Sequence, residues 1–544
     1  MSKKFDLLNV FATTLTLGVI CLCSPQLVQA ATFNVTTNTE FQDALDTANT
    51  NNQDNSINLA AGTYTGPFMY DNSSGYALTV TGQGQNNTFV TAPTGNDGLV
   101  IDTNGALTIS NLTFRDTGNN GITILGSAGT NTNAFILNIH NVTFFHNTSY
   151  GVQLGFWNGD QGGSVTVTDS IFDGNVVGFS LDGGSFAVPV TFSRNTVIHN
   201  ASHGLFLHRT TDGSDMLIDH NYFGDNTGAW GAGFAAQADC NCKITATSNL
   251  IVNNTGTDGT AGVGVDLETN TSDVGGATLI NFINNTVVHN TRADTNAGGL
   301  LVNSNTPNSV LNFYNNVFWD NQVTGDDNGL GADVYLNLSN YGTVHFSHNT
   351  IHSLEVEGDL TNYYATENLD IDPLFTGGSG AAYQTVDEGS RIVGTGTTLA
   401  PGFPTTDYAG NAWRGNPDRG AYSLYVKYAV VSPPNSPDSC TPVPVNIPDL
   451  FQINTSKDTA TLFYTPSNEA SNYQIAYGFN SNAEQFRVIT NQGPTTGALS
   501  YTINSLPRLA TMYFKVYSQN NCGQGQWSNI MAAKVQANKK YYRK

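Results

Sequence analysis

Positive charge is scarce in this sequence: 20 Lys and Arg stand against 42 Asp and Glu across 544 residues, a formal net charge of −22. A protein that grips phosphate backbones or anionic bilayers needs a basic surface, so neither nucleic acid nor an anionic membrane is expected as a partner. Charge of either sign is low, at 11% against 39% apolar residues, and a chain that stays unfolded has the opposite balance. Cysteine is sparse as well. Of six, two lie near the N-terminus, leaving Cys240, Cys242, Cys440 and Cys522. No further ligands stand at metal-site spacing around Cys240 and Cys242, which are expected as free or locally bridged thiols. Beyond the N-terminus no apolar stretch is long enough to cross a membrane. Nor does any long segment sustain a helical period, which removes helical solenoids.

What is present begins with a leader. MSKKFDLLNVFATTLTLGVICLCSPQLVQA opens with Lys3 and Lys4, continues in an apolar run from Leu7 to Cys23, and closes on Val28-Gln29-Ala30. That order predicts export, with cleavage near Ala30 and a secreted or cell-surface destination. Ile20 and Leu22 stand where a lipoprotein would need a small residue.

A seven-residue phrase then recurs: NVTFFHN (141–147), DSIFDGN (169–175), RNTVIHN (194–200), HNYFGDN (220–226), SNLIVNN (248–254), NNTVVHN (284–290) and NNVFWDN (315–321). The final asparagines are 28, 25, 26, 28, 36 and 31 residues apart, a spacing that means stacked supersecondary units. A second strand follows most copies, as in GVQLGF, GFSLD, GLFLHR, GVGVDL and GGLLV. Several short strands per repeat describe one turn of a parallel β-solenoid. Phe144, Phe172, Val197, Phe223, Ile251, Val287 and Phe318 are then expected in one interior column. The asparagines belong at corners, where this residue tolerates left-handed backbone and its amide can bond its equivalent one turn on.

The pattern resembles the right-handed parallel β-helix superfamily (pectate-lyase-like) over roughly residues 32–425. In EFQDALDTAN, Phe41, Ala44, Leu45 and Ala48 fall on one helical face, suited to capping the coil's open end. IDPLF (371–375), GSRIVGTGT (389–397) and DYAGNAWRGNPDRGAYS (407–423) resemble the tail of bacterial surface β-helix proteins of the choice-of-anchor type, with departures at Arg419 and Ser423. After a proline-rich linker, TATLFYTP, NYQIAYG, LSYTINSL and TMYFKVYSQ alternate at sandwich spacing and resemble a fibronectin type III domain. Tyr464 stands at that family's core tryptophan position. The resemblance places Cys440 and Cys522 at the same end of the sandwich, close enough for a disulfide. The expected organisation is a signal peptide (1–30), an N-terminally capped β-helix (31–428), a linker (429–444), a fibronectin type III-like β-sandwich (445–537) and a basic tail (538–544): an all-β chain, expected as a monomer.

Related β-helices include both enzymes and inert stalks, so function has to be read from a site. A uronate lyase needs a base and several cations, and the solenoid offers few: Arg115, Arg194, Arg209, Lys243 and Arg292. A hydrolase needs two carboxylates about 5–10 Å apart, drawn from Asp182, Asp212, Asp215, Asp219, Asp266 and Glu268. The densest reactive stretch, HNASHGLFLHRTTDGSDMLIDHN (199–221), supplies the catalytic candidates His208, Arg209 and Asp212, with Asp182 one turn earlier. With Leu205 and Leu207 facing inward, Phe206 and His208 face out. Gln153, Phe156, Trp157, Phe206, Trp230 and Phe234 form the expected sugar-stacking surface on neighbouring turns. No cofactor is expected, although the acidic balance suits bound calcium. Two functions stay open: a surface protein binding extracellular polysaccharide or another cell-surface component, and a carbohydrate-active lyase or hydrolase.

Overall fold

The computed structural model describes residues 30–125, 135–155, 163–182, 188–209, 212–228, 231–256, 263–270, 277–293, 297–324, 333–358, 360–375, 383, 390–413, 415–423, 444–456, 459–490, 497–504, 506, 510–520 and 523–536. Its larger part is a parallel β-helix, and one turn shows the plan. Lys243–Thr247 forms the first side, Ser248 and Asn249 a corner, Leu250–Val252 the middle side, Asn253 and Asn254 a second corner, and Val265–Thr269 the third side. Each strand pairs in parallel with its equivalent one turn on, so that Leu250, Ile251 and Val252 lie beside Thr286, Val287 and Val288. Eleven strands, from Phe68–Asn72 to Leu354–Gly358, stack into the third-side sheet. The interior column runs as expected and further, from Phe114 through Phe144, Phe172, Val197, Phe223, Ile251, Val287 and Phe318 to Ile351. Its rings stack where they meet; Phe144 and Phe172 are 4.9 Å apart.

The seven-residue phrase is the middle side together with both corners. The left-handed residue at each corner is the one before the ladder asparagine. At the first corner it is Arg194, His220, Ser248, Asn284, Asn315, His348 or Glu367; at the second it is His146, Gly174, His199, Asp225, Asn253, His289 or Asp320. The ladder asparagine that follows is buried and fully engaged. The backbone N and Nδ2 of Asn254 both donate to Oδ1 of Asn290, at 3.0 and 2.8 Å, and Nδ2 also donates to the Phe223 carbonyl at 3.2 Å. Burial without water demands such complete pairing. The same pattern repeats through Asn147, Asn175, Asn200, Asn226, Asn254, Asn290 and Asn321. It ends on the carboxylate of Asp333, which also accepts the backbone N–H groups of His352 and Ser353. A second ladder joins Asn195, Asn221, Asn249, Asn285, Asn316, Asn349 and Asn368 at the first corner.

Both ends of the coil are covered. At the N-terminal end the helix Asn38–Thr50 begins in a Thr37/Glu40 capping box and buries Phe41, Ala44, Leu45 and Ala48. At the other end sit two antiparallel sheets. One holds Leu450–Thr455, Ala460–Tyr464 and Leu499–Ile503; the other holds Asn472–Gly478, Phe486–Thr490, Thr511–Asn520 and Met531–Lys534. Tyr464 is wholly buried between them, its ring 5.2 Å from Tyr473. The sequence suggests a module set apart by its linker, but this one is docked. Asn368 and Leu369 of the last turn pair in parallel with Phe486 and Arg487, and Arg487 bridges Glu367 at 2.7 Å. An open solenoid end exposes a row of unpaired peptide groups, and this strand satisfies part of it.

Residues 390–413 and 415–423 fold back over the outer surface of the middle side. Ala421 N donates to Thr286 Oγ1 at 2.9 Å and Gly420 N to the Asn315 carbonyl at 2.6 Å. Ile392, Ala421 and Tyr422 cover Leu250, Val252, Val288 and Val317. Arg419, one of the two departures from the family phrase, is buried, and its Nη1 donates to the Asn349 carbonyl at 2.8 Å. Cys240 and Cys242 are bridged, with Cα atoms 5.3 Å apart. Cys440 and Cys522 lie outside the described residues. Among the described residues no helix is long and apolar enough to cross a membrane.

Candidate functional site

The outward surface of the third-side sheet carries two columns of side chains. Strand alternation sets them: on His203–Arg209, Leu205, Leu207 and Arg209 point inward, while Phe206 and His208 point outward. The first column runs in register through Gln153, Ser180, Phe206, Ala235, Asp266, Leu301 and Tyr335. The second runs through His208, Gln237, Glu268, Asn303, Asn337 and Glu357. Adjacent members touch: Asn303 Nδ2 donates to Glu268 Oε1, and Asn337 Nδ2 to Asn303 Oδ1, each at 3.2 Å.

His208 lies between two carboxylates, with Nδ1 3.0 Å from Asp182 Oδ1 and Nε2 3.1 Å from Asp239 Oδ2. The Asp239 bond, aided by Asp182, holds the imidazole above its ordinary pKa against the effect of burial. Burial would push Asp239 upward, but the His208 bond and charge keep it below the ordinary carboxylate value. An imidazolium bonded at both nitrogens is a brace between three turns; it has no free nitrogen with which to take a proton. Asp239 immediately precedes the bridged Cys240, so the disulfide sits at the corner that presents it.

Two expected positions are corrected by this register. Arg209 is inside the coil and fully buried, donating from Nη2 to Ser214 Oγ at 3.2 Å, and burial pushes its pKa down to about 10. As the chain neighbour of outward-facing His208 it takes the opposite face of the strand. Phe234 is also inside, aligned with Leu205 and 5.1 Å from the Phe223 ring. Ala235 takes the outward place beside Phe206, and a one-residue difference in register exchanges the faces.

Of the remaining candidates, Phe206 is outward and half-buried, 5.3 Å from the His203 ring. Gln153 faces outward two turns before it and accepts from Asn120 Nδ2 at 2.9 Å. Asp182 reaches His208. Asp212 is exposed in the connection that follows the His208 strand, where it accepts the Asn241 N–H of the next turn at 2.7 Å. Phe156, Trp157 and Trp230 lie outside the described residues.

Gln237, Asp239, Asn303 and Asn337 escaped the sequence reading, yet a signal for most of them was present. A glycine opens the outward strands of the central turns, and its close approach excludes any other residue there: a Cβ on Gly204 would lie 2.5 Å from the Gly233 carbonyl oxygen, and one on Gly233 would lie 2.3 Å from that of Gly264. Counting four residues on from Gly204, Gly233, Gly264 and Gly299 gives His208, Gln237, Glu268 and Asn303. Asp266 and Glu268, named among the hydrolase carboxylates, do share the outward face. Asp266 is buried and, among the described residues, its Oδ1 has no hydrogen-bond partner. Burial, with Glu268 nearby, raises its pKa well above the ordinary value against the opposing charge of Arg292. Among the described residues no group of three or more His, Cys, Asp or Glu is arranged to hold a metal ion.

The family model for right-handed β-helix regions matches residues 97–279. Among solved structures, the A-module of mannuronan C-5 epimerase AlgE6 from Azotobacter vinelandii is similar at 15% identity and a TM-score of 0.39, over 61% of this chain and 89% of that one. The PL6 family alginate lyase AlyGC is similar at 15% identity and a TM-score of 0.23, over 62% of this chain and 51% of that one. A mannuronic acid-specific polysaccharide family 6 lyase from human gut microbiota gives 12% identity and a TM-score of 0.22, over 62% and 86% of the two chains. Among curated proteins none matches the sequence.

Proposed function

We propose that this chain is an exported, surface-associated or secreted protein that binds an extracellular polysaccharide along the outward face of its third-side sheet. The observation that carries this reading is the column Gln237, Glu268, Asn303 and Asn337, one hydrogen-bonding side chain per turn over four consecutive turns. Turns of a parallel coil are spaced by about 4.8 Å, close to the length of one pyranose ring. A straight polymer laid along the coil therefore meets a donor or acceptor at each sugar, and Phe206 and Tyr335 in the adjoining column give it apolar faces. Many modest contacts in series give affinity by repetition, so short fragments are expected to bind weakly and long chains well.

The test is a binding screen of the purified protein against neutral and acidic polysaccharides, reading affinity and product release together. Gln237→Ala, Asn303→Ala and Phe206→Ala should each weaken binding while the melting temperature stays nearly constant. Unchanged binding in all three variants would remove the face as the site.

A second reading, a carbohydrate-active enzyme, draws on Asp266 and Glu268. Two outward residues on one strand are separated by roughly 6.6 Å along it, within the range of a glycosidase pair. A buried carboxyl whose pKa is raised, beside a second acidic side chain, has the character of a general acid. On this reading Asp266→Asn abolishes product formation and spares binding. New reducing ends alone mark a hydrolase, and an ultraviolet-absorbing unsaturated product marks a lyase.

A further inference from the structure

Where the coil meets the C-terminal sheets there is a cleft of about 480 Å³, within the usual range of small-molecule sites, roughly 300–1,000 Å³. The coil contributes Trp319 and His352, the exit segment Asp370 and Asp372, the returning tail Arg391, and the C-terminal sheets Tyr501 with Thr502 and Asn504. None of these belongs to the outward face described above.

The cleft combines three kinds of chemistry. Trp319 and Tyr501 offer half-buried aromatic surface, one supplied by each part of the chain. Thr502, Asn504 and Asp372 offer exposed polar groups suited to hydroxyls. The cation is Arg391. In a chain with only 20 Lys and Arg, most cations near this junction are committed: Arg487 to Glu367, Arg419 to buried carbonyl and hydroxyl groups, and the imidazole of His352 to Asp370 at 2.9 Å. The Arg391 guanidinium has no ion pair or hydrogen bond among the described residues and lines the cleft. A free guanidinium fits a planar carboxylate through two parallel hydrogen bonds. Asp370 and Asp372 on the same rim repel a multiply charged anion, which disfavours phosphate esters.

We propose that this cleft is a second binding site, specific for a sugar acid of one or two rings. Arg391 holds the single carboxylate, Trp319 and Tyr501 flank the ring, and Thr502 and Asn504 bond its hydroxyls. The site exists only because the C-terminal sheets are seated on the coil, and it does not depend on the polysaccharide-binding reading of the outward face.

Calorimetric titration of the full chain tests this with glucuronate, galacturonate, mannuronate and N-acetylneuraminate, cellobiose as the neutral control and inorganic phosphate as the anion control. At least one sugar acid should bind saturably, and Arg391→Gln should weaken it ten-fold or more with an unchanged melting temperature. Asn303→Ala, on the outward face, should leave that affinity unaltered. Tyr501→Ala should weaken it in parallel, which guards against an indirect effect of the arginine variant. Absence of saturable binding by every sugar acid overturns the proposal, as does equal affinity in Arg391→Gln. Phosphate or cellobiose binding as tightly as the best sugar acid overturns the assigned ligand class. Loss of polymer binding in the face variants with sugar-acid binding intact supports two separate sites.

Discussion

Asn368 donates its side-chain amide to the carbonyl of Gln485 at 3.0 Å, across 117 residues of sequence. It is the last asparagine of the first-corner ladder, so the ladder terminates on a backbone acceptor that the C-terminal sheets supply. Coil and sheets therefore form one hydrogen-bonded assembly at this point. A chain ending at residue 423 should lose that acceptor, the Phe486–Arg487 strand and the cover over Ile351 and Leu354. It should melt earlier than the full chain, bind a hydrophobic dye and self-associate through the bared edge. A truncated coil that stays monomeric and melts at the parent temperature would show that the sheets are only appended.

The core column and the asparagine ladder can be weighed against each other. Phe223 is fully buried between neighbours above and below, so Phe223→Ala should cost about 3–5 kcal/mol. Asn254→Ala removes the acceptor of Asn226 and the donors to Asn290 and Phe223. Each buried group left unpaired costs about 1–3 kcal/mol, so this variant should be about as damaging as the phenylalanine deletion. Denaturant melts of both variants check it, and a cost below about 1 kcal/mol for Asn254→Ala would make the ladder a passenger.

Asp266 sets a pH dependence whose sign is fixed. Its folded pKa is raised above the ordinary carboxylate value, so between the two values the native state holds a proton that the unfolded chain has released. Stability then falls as pH rises through that window and is greatest below it. His208 acts in the same sense, because its raised folded pKa gives stability that is present below the free imidazole value and lost as pH rises through the folded one. Asp266→Asn should raise the melting temperature at neutral pH and flatten its fall between mildly acid and neutral conditions. A lowered melting temperature would mean that the charged form is the one the fold prefers.

The Cys240–Cys242 bridge closes a very short loop, for which the chain-entropy relation gives only about 1–2 kcal/mol. Its larger effect is expected on Asp239 beside it. Replacing both cysteines by serine should change the melting temperature modestly and lower the His208 titration midpoint, followed through its ring proton resonance. An unmoved midpoint would separate the bridge from the histidine brace.

Repetition made the coil readable. Seven copies of one phrase define the middle side, and alternation within Leu205–Leu207 identifies the inner face without coordinates. The site was less legible because the strand that carries it varies from turn to turn, and its most regular mark is a glycine whose importance lies in a contact with the next turn. Matching aromatic residues by type places Phe234 outward, whereas the backbone matches Gly233 to Gly204. Charge alone groups Arg209 with His208, although neighbours on a strand part to opposite faces. The docking of the C-terminal sheets was invisible for another reason: Glu367 and Arg487 lie far apart in sequence with a proline-rich segment between them, and nothing local in either announces the pairing.

The ladder through the second corner has a direction. Every amide from Asn147 to Asn321 gives its hydrogens the same way, beginning from the Thr117 hydroxyl and finishing on the Asp333 carboxylate. The two termini are chemically unlike each other and unlike the links between them, whereas the links are interchangeable. A whole turn inserted or excised between Asn200 and Asn290 would leave both terminations intact, while any extension past Asp333 would confront a group that only accepts. The overall length of this molecule can therefore be altered from the middle and is fixed at its ends, as a zip fastener is lengthened by adding teeth and never by moving the stop.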